Sequence, residues 1–198
     1  MIIIIRHGET IWNTQKRKQG HKNSKLTTKG KRQAIKVANF LNKKKYDLRN
    51  FKIYSSPLGR VLEYKKIIQK NLKPPFNIEK KTILSNMLKE HKFGKWEGKN
   101  DIEIKKKYPE EVKLRSIDKW NYQIPGGGES YSLLYKRIDK FLSRINKNKN
   151  FLLFTHDMVS RVLRGNIMKF KKHKIMNMEH KNNYIYVFKK KNFKKYVI

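Results

Sequence analysis

The chain has 198 residues, no cysteine and a formal net charge of +35, from 50 Lys and Arg against 15 Asp and Glu. The length fits one domain, and the missing thiols exclude disulfides and Cys-ligated zinc. The longest apolar run, Met1 to Ile5, falls far short of the ~20 residues a membrane-spanning helix needs.

The first element is a β-branched run, Ile2 to Ile5, which suits a buried strand. It breaks off in Arg6-His7-Gly8-Glu9-Thr10. Open α/β sheets place their ligands beyond such strand ends. Residues 11–26 read as a polar loop with a helical turn. Thr27 or Thr28 caps a helix to about Lys44, with Ala34, Val37, Ala38 and Leu41 on one face. Phe51 to Ser55 is a second strand. Ser55-Ser56-Pro57 then starts a helix with the stripe Leu58, Val61, Leu62, Ile68 and Leu72. Pro74-Pro75 stops it, and residues 76–80 are expected to form a third, shorter strand.

Residues 82–128 are the least regular stretch, broken by Gly94, Gly98, Pro109, Pro125 and Gly126-Gly127-Gly128, with a short helix expected near 100–107. Long irregular segments in compact domains are often functional. A helix returns over Ser130 to Asn146, with Leu134, Ile138, Phe141 and Ile145 inward. Phe151 to Thr155 is a buried strand that runs into His156-Asp157 and a helix to about Lys169. Tyr184 to Phe188 and Phe193 to Val197 close the chain as an edge hairpin.

Strands alternating with amphipathic helices predict an α/β domain. Three strand exits deliver Arg6-His7, Ser55 to Arg60, and His156. In a parallel sheet they share one edge, so two histidines and two arginines meet in one cleft. Guanidiniums offer paired donors to phosphate oxygens, and a neutral imidazole is a competent nucleophile near pH 7.

These pieces, in this order, resemble a histidine phosphatase of the phosphoglycerate-mutase-like superfamily. The match rests on Arg6-His7-Gly8-Glu9-Thr10 with Trp12-Asn13, Leu26-Thr27 with Gly30, and Ser55-Ser56-Pro57-Leu58 with Arg60. It continues in Leu88 to Gly98 (LKEHKFGKWEG), Pro125 to Ser130 (PGGGES) and Thr155-His156. The resemblance implies a three-layer α/β/α sandwich with a mostly parallel central sheet. It implies one domain over 1–198, with the irregular region at about 82–128 covering the active site. It makes His7 the nucleophile that becomes phosphohistidine. Arg6, Arg60 and His156 hold the phosphoryl oxygens, Glu90 is the proton donor, and Asn13 is a phosphate-pocket contact that equally fits a turn cap. Glu97 and Glu103 are the alternatives to Glu90. The implied chemistry needs no metal and no cofactor.

Two features depart from the family pattern. Asp157 follows the second histidine where glycine is common, and Val61-Leu62-Glu63-Tyr64 follows the arginine motif. A carboxylate at 157 opposes phosphate unless it is paired or turned away. The mutases carry a lysine where Asp101 stands and an arginine pair where only Arg115 occurs. They also carry a longer segment before the second histidine. The favoured reading is therefore a phosphomonoester hydrolase acting on a small phosphorylated metabolite. The alternative is a phosphoglycerate mutase, which alone would require 2,3-bisphosphoglycerate as primer.

A second alternative is a polyanion-binding protein with a vestigial cleft, since the charge attracts polyanions. Lysine runs such as Lys43-Lys44-Lys45, Lys105-Lys106-Lys107 and Lys189-Lys190-Lys191 read first as solvated surface, so no specific nucleic-acid partner is expected. The expected location is the cytoplasm, with no membrane span; a homo-oligomer is compatible with everything above. His21, His91, His173 and His180 have no motif context and are expected on the surface. Trp12, Trp96 and Trp120 are expected to pack.

Overall fold

The computed structural model describes residues 1–44, 46–146, 148–189 and 192–198. Lys45, Lys190 and Lys191 of the lysine runs lie outside the described residues. In chain order the elements are β1 (Ile2–Arg6), α1 (Ile11–Thr14), α2 (Thr28–Lys43), β2 (Phe51–Ser55), α3 (Gly59–Lys70), β3 (Thr82–Leu84) and α4 (Asp101–Lys107). There follow α5 (Pro109–Ile117), α6 (Tyr131–Ser143), β4 (Asn150–Thr155), α7 (Asp157–Ile167), α8 (Lys172–Asn177), β5 (Tyr184–Lys189) and β6 (Asn192–Val197).

The six strands form one sheet in the order β3-β2-β4-β1-β5-β6. The pairs β2–β3, β2–β4 and β1–β4 are parallel; β5 and β6 complete the other edge antiparallel, as the hairpin reading expects. Successive strand residues face opposite sides, and this sheet is covered on both. Ile3 and Ile5 pack with Leu152 and Phe154 against α2 and α3, through Val37, Leu41, Val61 and Ile68. Ile4 packs with Phe151 and Leu153 on the other face, against Leu134, Ile138, Val159 and Val162 of α6 and α7. This is the expected three-layer α/β/α arrangement with a mostly parallel centre. Among the described residues no helix is long and apolar enough to cross a membrane.

Three local expectations are corrected. The third strand is not at 76–80 but at Thr82–Leu84. Side chains take the backbone there: Gln69 accepts from the Ile78 N–H at 2.6 Å, and Asn77 accepts from that of Lys80 at 3.0 Å. Such bonds compete with a sheet ladder. Helix α3 begins two residues later than the Ser-Pro signal suggests, with Leu58 at its N-cap, and the Ser56 hydroxyl bonds both the Leu58 N–H and His156. The irregular region also contains a second helix, α5, which starts at Pro109 with Glu110 and Glu111 in its first turn. That is a favourable helix start, but no residue of α5 is buried, so no apolar stripe announces it.

Candidate active site

β1, β2 and β4 end side by side, with Arg6 opposite Thr155 and Ser55 opposite Phe154. The ladder runs one step past the strands. The N–H of His7 bonds the Thr155 carbonyl at 3.1 Å, and that of Ser56 bonds the Phe154 carbonyl at 2.9 Å. The turn after His7 is tight: a Cβ on Gly8 would lie 2.5 Å from the Gly30 carbonyl oxygen. This brings together Arg6, His7 and His156 from the strand ends and Arg60 from the first turn of α3.

Arg60 is fully buried. Its Nη1 and Nη2 donate to the carbonyls of Lys22 (2.8 Å) and Gly20 (2.9 Å), while Nε points at His7 Nε2 from 3.2 Å. Gly20 itself has φ +52, and Glu97 packs where its Cβ would be. Burial pushes Arg60 down to about 10, against the pull of Glu90 and Glu97. It remains a cation at neutral pH.

One hydrogen bond fixes the His7 tautomer. His7 Nδ1 lies 2.8 Å from the Gly8 carbonyl, which can only accept. Nδ1 therefore carries the proton, and Nε2 keeps its lone pair facing Arg60. Burial first, then Arg60 and Arg6, hold His7 well below the ordinary imidazole range. His156 Nε2 is 2.8 Å from Ser56 Oγ, and Ser56 Oγ also accepts from the Leu58 N–H at 3.3 Å. The Ser56 hydroxyl can donate to Nε2 or accept from it with its second lone pair, so either neutral tautomer of His156 fits this contact. Among the described residues, His156 Nδ1 is buried without a hydrogen-bond partner, as is Arg6 Nε. The two imidazoles meet edge to face at 5.2 Å. Burial and then Arg60 hold His156 neutral as well. Orphaned buried donors are costly and call for an acceptor.

Glu90 is buried at the same cavity, and one of its oxygens accepts its neighbour's N–H (His91) at 3.0 Å. Burial and the nearby Asp157 raise its pKa, more than Arg60, the His91 N–H and Arg6 lower it. The alternatives are occupied elsewhere. Glu97 accepts from the backbone of His21, Lys22 and Phe93, and Glu103 closes the cap of α4 and pairs with Arg17. Asn13 completes a capping box with Thr10 and also lines the cavity.

Asp157 is paired. It takes a two-pronged bond from Arg161 and the N–H of His180 at 2.8 Å. Burial would raise it, but Arg6 and Arg161 overcome that and hold it ionised.

His91 and His180 are not surface residues; both are fully buried. His180 Nδ1 meets Ser160 Oγ at 2.6 Å, and its Nε2 donates to the Tyr184 carbonyl at 2.8 Å. Its own carbonyl accepts from Arg6. Next to it, Asn182 donates to the His7 carbonyl at 2.8 Å. Sequence reasoning missed this layer behind Arg6 and His7. His21 is half-buried, Trp96 and Trp120 pack in the core, and Trp12 lies against Gly98.

The cavity holds about 570 Å³. Arg6, His7, Arg60 and Glu90 line its inner end. The outer wall comes from the irregular region, α7 and the start of α6, with Trp96, Arg115, Lys119, Tyr131 and Arg161. Of these, only Arg115 and Trp96 figured in the sequence reading. Lys18 pairs with Asp101 at 2.8 Å and Arg161 with Asp157. Among the described residues Arg115 and Lys119 have no acidic partner within ion-pair distance. Partial burial, then Arg115, Arg161 and Lys18, push Lys119 down. The outer wall is thus a second concentration of positive charge.

A family model described as the histidine phosphatase superfamily (branch 1) matches residues 2–197. The sequence is 35% identical over 166 residues to phosphoglycerate mutase-like protein 4 of Arabidopsis thaliana, covering 82% of this chain and 68% of the relative. It is 33% identical over 165 residues to the metal-independent phosphoserine phosphatase of the same plant, covering 82% of this chain and 66% of the relative. In fold it resembles the crystal structure of the alpha-ribazole phosphatase from Shigella flexneri. The TM-score is 0.79 at 22% identity, over 100% of this chain and 95% of that one.

Proposed function

The chain belongs to the histidine phosphatase superfamily, and from that premise we propose that it hydrolyses a small phosphomonoester bearing a second acidic group, through a phosphohistidine on His7. One observation carries the reading. The Nδ1–H of His7 is committed to Gly8, so a lone pair on Nε2 faces the guanidinium of Arg60, with Arg6 close by in the same cavity.

In the first step Nε2 attacks phosphorus and the bond from phosphorus to the alcohol oxygen breaks. Glu90, whose raised pKa suits a proton donor, gives its proton to the departing alkoxide. His7 is left as a cationic phosphoimidazole with Nδ1–H still on Gly8. In the second step water attacks phosphorus, its proton returns to Glu90, and the imidazole leaves neutral with its lone pair restored. Phosphoryl transfer needs mainly alignment and charge stabilisation. Arg6 and Arg60 supply the charge, with His156 edge to face beside His7. These steps route nothing through a metal or cofactor.

Two features favour hydrolysis over the mutase alternative. Asp101, tied to Lys18, stands where the mutases carry a lysine, and the similar proteins include phosphatases by name. The outer cations Arg115 and Lys119 favour a substrate with a carboxylate or second phosphate beyond the reacting group. Rapid-quench mixing with p-nitrophenyl phosphate tests the mechanism. It should trap an acid-labile phosphoenzyme in the wild type and none in His7→Ala, with turnover abolished. Full activity of His7→Ala would refute the reading. Release of inorganic phosphate rather than an isomerised phosphate ester separates hydrolase from mutase.

A further inference from the structure

Glu90 sits between two short 3-10 turns, Asn86–Leu88 and Gly94–Trp96, in a stretch without strand or α-helix. Among the described residues its carboxylate is held only by the N–H of its neighbour His91. Its aim therefore depends on the path of the backbone. One guanidinium governs much of that path. Arg137, on α6, donates from Nη1 to the carbonyls of Met87 (2.6 Å) and Lys89 (2.8 Å), and from Nη2 to that of Glu90 (3.4 Å). Its remaining donors form a two-pronged pair with Glu129 at 2.9 and 2.8 Å.

Glu129 in turn accepts from the Lys92 N–H at 3.0 Å, and its own N–H bonds the Lys92 carbonyl at 2.8 Å. Lys95 and Pro125 add a further backbone bond at 2.9 Å. The two ends of the excursion that carries α4 and α5 are thus fastened together at the Arg137–Glu129 pair. Two other ties reach this segment: Thr155 Oγ1 to the Leu88 carbonyl (3.1 Å) and His21 Nε2 to the Glu90 carbonyl (2.9 Å). Neither offers more than one donor. Arg137 saturates three carbonyls, and a bidentate guanidinium–carboxylate pair fixes direction as well as distance.

We infer that Arg137 and Glu129 are positioning residues that aim Glu90 at the leaving-group oxygen and couple its placement to the outer wall of the cavity. The inference rests on the reading of Glu90 as the proton donor. A displacement of about 1 Å at a reacting group can cost about 100-fold in rate. Arg137→Lys keeps the charge and loses the fork; Glu129→Gln keeps the shape and loses the ion pair. Each should lower kcat for glycerol 3-phosphate by about 10- to 100-fold. With p-nitrophenyl phosphate, whose leaving group departs with little protonation, the loss should stay under about threefold.

The deciding measurement is a double-mutant cycle with Glu90→Gln. If Arg137 acts through Glu90, Arg137→Lys should cost less than about twofold more once Glu90 has lost its proton. A loss that multiplies in full in that background, or that is equal on both phosphates, overturns the inference. If Arg137→Lys does not fold, Glu129→Gln is carried through the same cycle. Phosphohistidine trapped from the wild type with p-nitrophenyl phosphate keeps the two questions apart. If it forms, the cycle tests the positioning alone; if it does not, the proposed mechanism fails and this inference with it.

Discussion

At the inner end of the cavity Arg6 and His7, with His156 beside His7, continue strands whose ladders run one step further, by His7 to Thr155 and Ser56 to Phe154. At the outer wall Arg115 rides on α5, a helix that buries no residue, and Lys119 follows it. The inner groups are oriented by main-chain hydrogen bonds and deep burial. The outer groups are held by side-chain ties such as Arg17–Glu103, Lys18–Asp101 and Arg137–Glu129. The contrast separates two tasks. Attack on phosphorus needs fixed atoms in a dry setting, which a buried sheet edge provides. Gripping the rest of a substrate needs only charge at the right depth, which helices resting on the rim can provide.

Glu90 stands between these two regimes, being buried like the inner set but carried by the irregular region. The largest effect expected from a change that leaves the nucleophile in place is therefore at Glu90. Glu90→Gln should slow glycerol 3-phosphate hydrolysis by about 10²- to 10⁴-fold, the usual worth of general acid–base help. p-Nitrophenyl phosphate should lose much less. The raised pKa adds a pH signature. The wild-type rate on the alkyl ester should fall as pH rises through the raised Glu90 value, because the acid then lacks its proton. Glu90→Gln should lose that limb. Equal losses on both esters would remove Glu90 from the acid role and leave the inner end without an assigned proton donor.

Stability should respond to pH mainly through buried histidines, three of them at or behind the inner end. His7, His156, His180 and, under the Glu90 segment, His91 are all held neutral first by burial; His180 is pushed down to about 3. In the unfolded chain an imidazole titrates near pH ~6.5. Below that pH the unfolded state takes up protons that the native state refuses, so stability falls with pH. Each such histidine removes about 1 kcal/mol between pH 6.5 and 5.5. Glu90 works in the opposite sense, contributing stability at low pH that is lost as pH rises through its raised value. Urea unfolding at pH 7.5, 6.5 and 5.5 should show a steep loss on the acid side. A flat profile would mean that these imidazoles are not neutral in the native state.

The same contrast governs what the sequence disclosed. The strand exits were legible because β-branched runs stop abruptly at Arg6-His7, Ser55-Ser56 and Thr155-His156, and a parallel sheet brings such exits together. Asp157 and Arg161 were also within reach, being four apart on one helix. The outer wall was not legible. α5 has no buried face to give a period, so only Pro109-Glu110-Glu111 marked it. His91 and His180 were misplaced on the surface because distant partners decide their burial: Tyr131 stacks near one, while Ser160 and the Tyr184 carbonyl bind the other. Arg137 looked like any charged residue on a helix. Its partner Glu129 lies eight positions back, outside the spacing at which helix side chains meet.

The smallest effect should come from the outer wall, and it is the sharpest test of the division of labour. Arg115 lies 5.4 Å over Trp96 and lines the cavity with Lys119, Arg161 and Lys18. Asp157 and Asp101 neutralise Arg161 and Lys18, which leaves Arg115 and Lys119 to meet an incoming anion. A charge-assisted hydrogen bond is worth about 1.5–3 kcal/mol, and partial exposure reduces that. Arg115→Ala should therefore raise KM for 3-phosphoglycerate, which carries a carboxylate beside its phosphate, by about tenfold at constant kcat. Glycerol 3-phosphate, which lacks the carboxylate, should change by less than about twofold. Lys119 is exposed, so Lys119→Ala should have a weaker effect that fades with added salt. If Arg115→Ala weakens both substrates equally, the outer wall shapes the cavity or serves the reacting phosphate itself. If kcat falls instead of KM rising, Arg115 belongs with the inner set, and the line drawn between the two regions is in the wrong place.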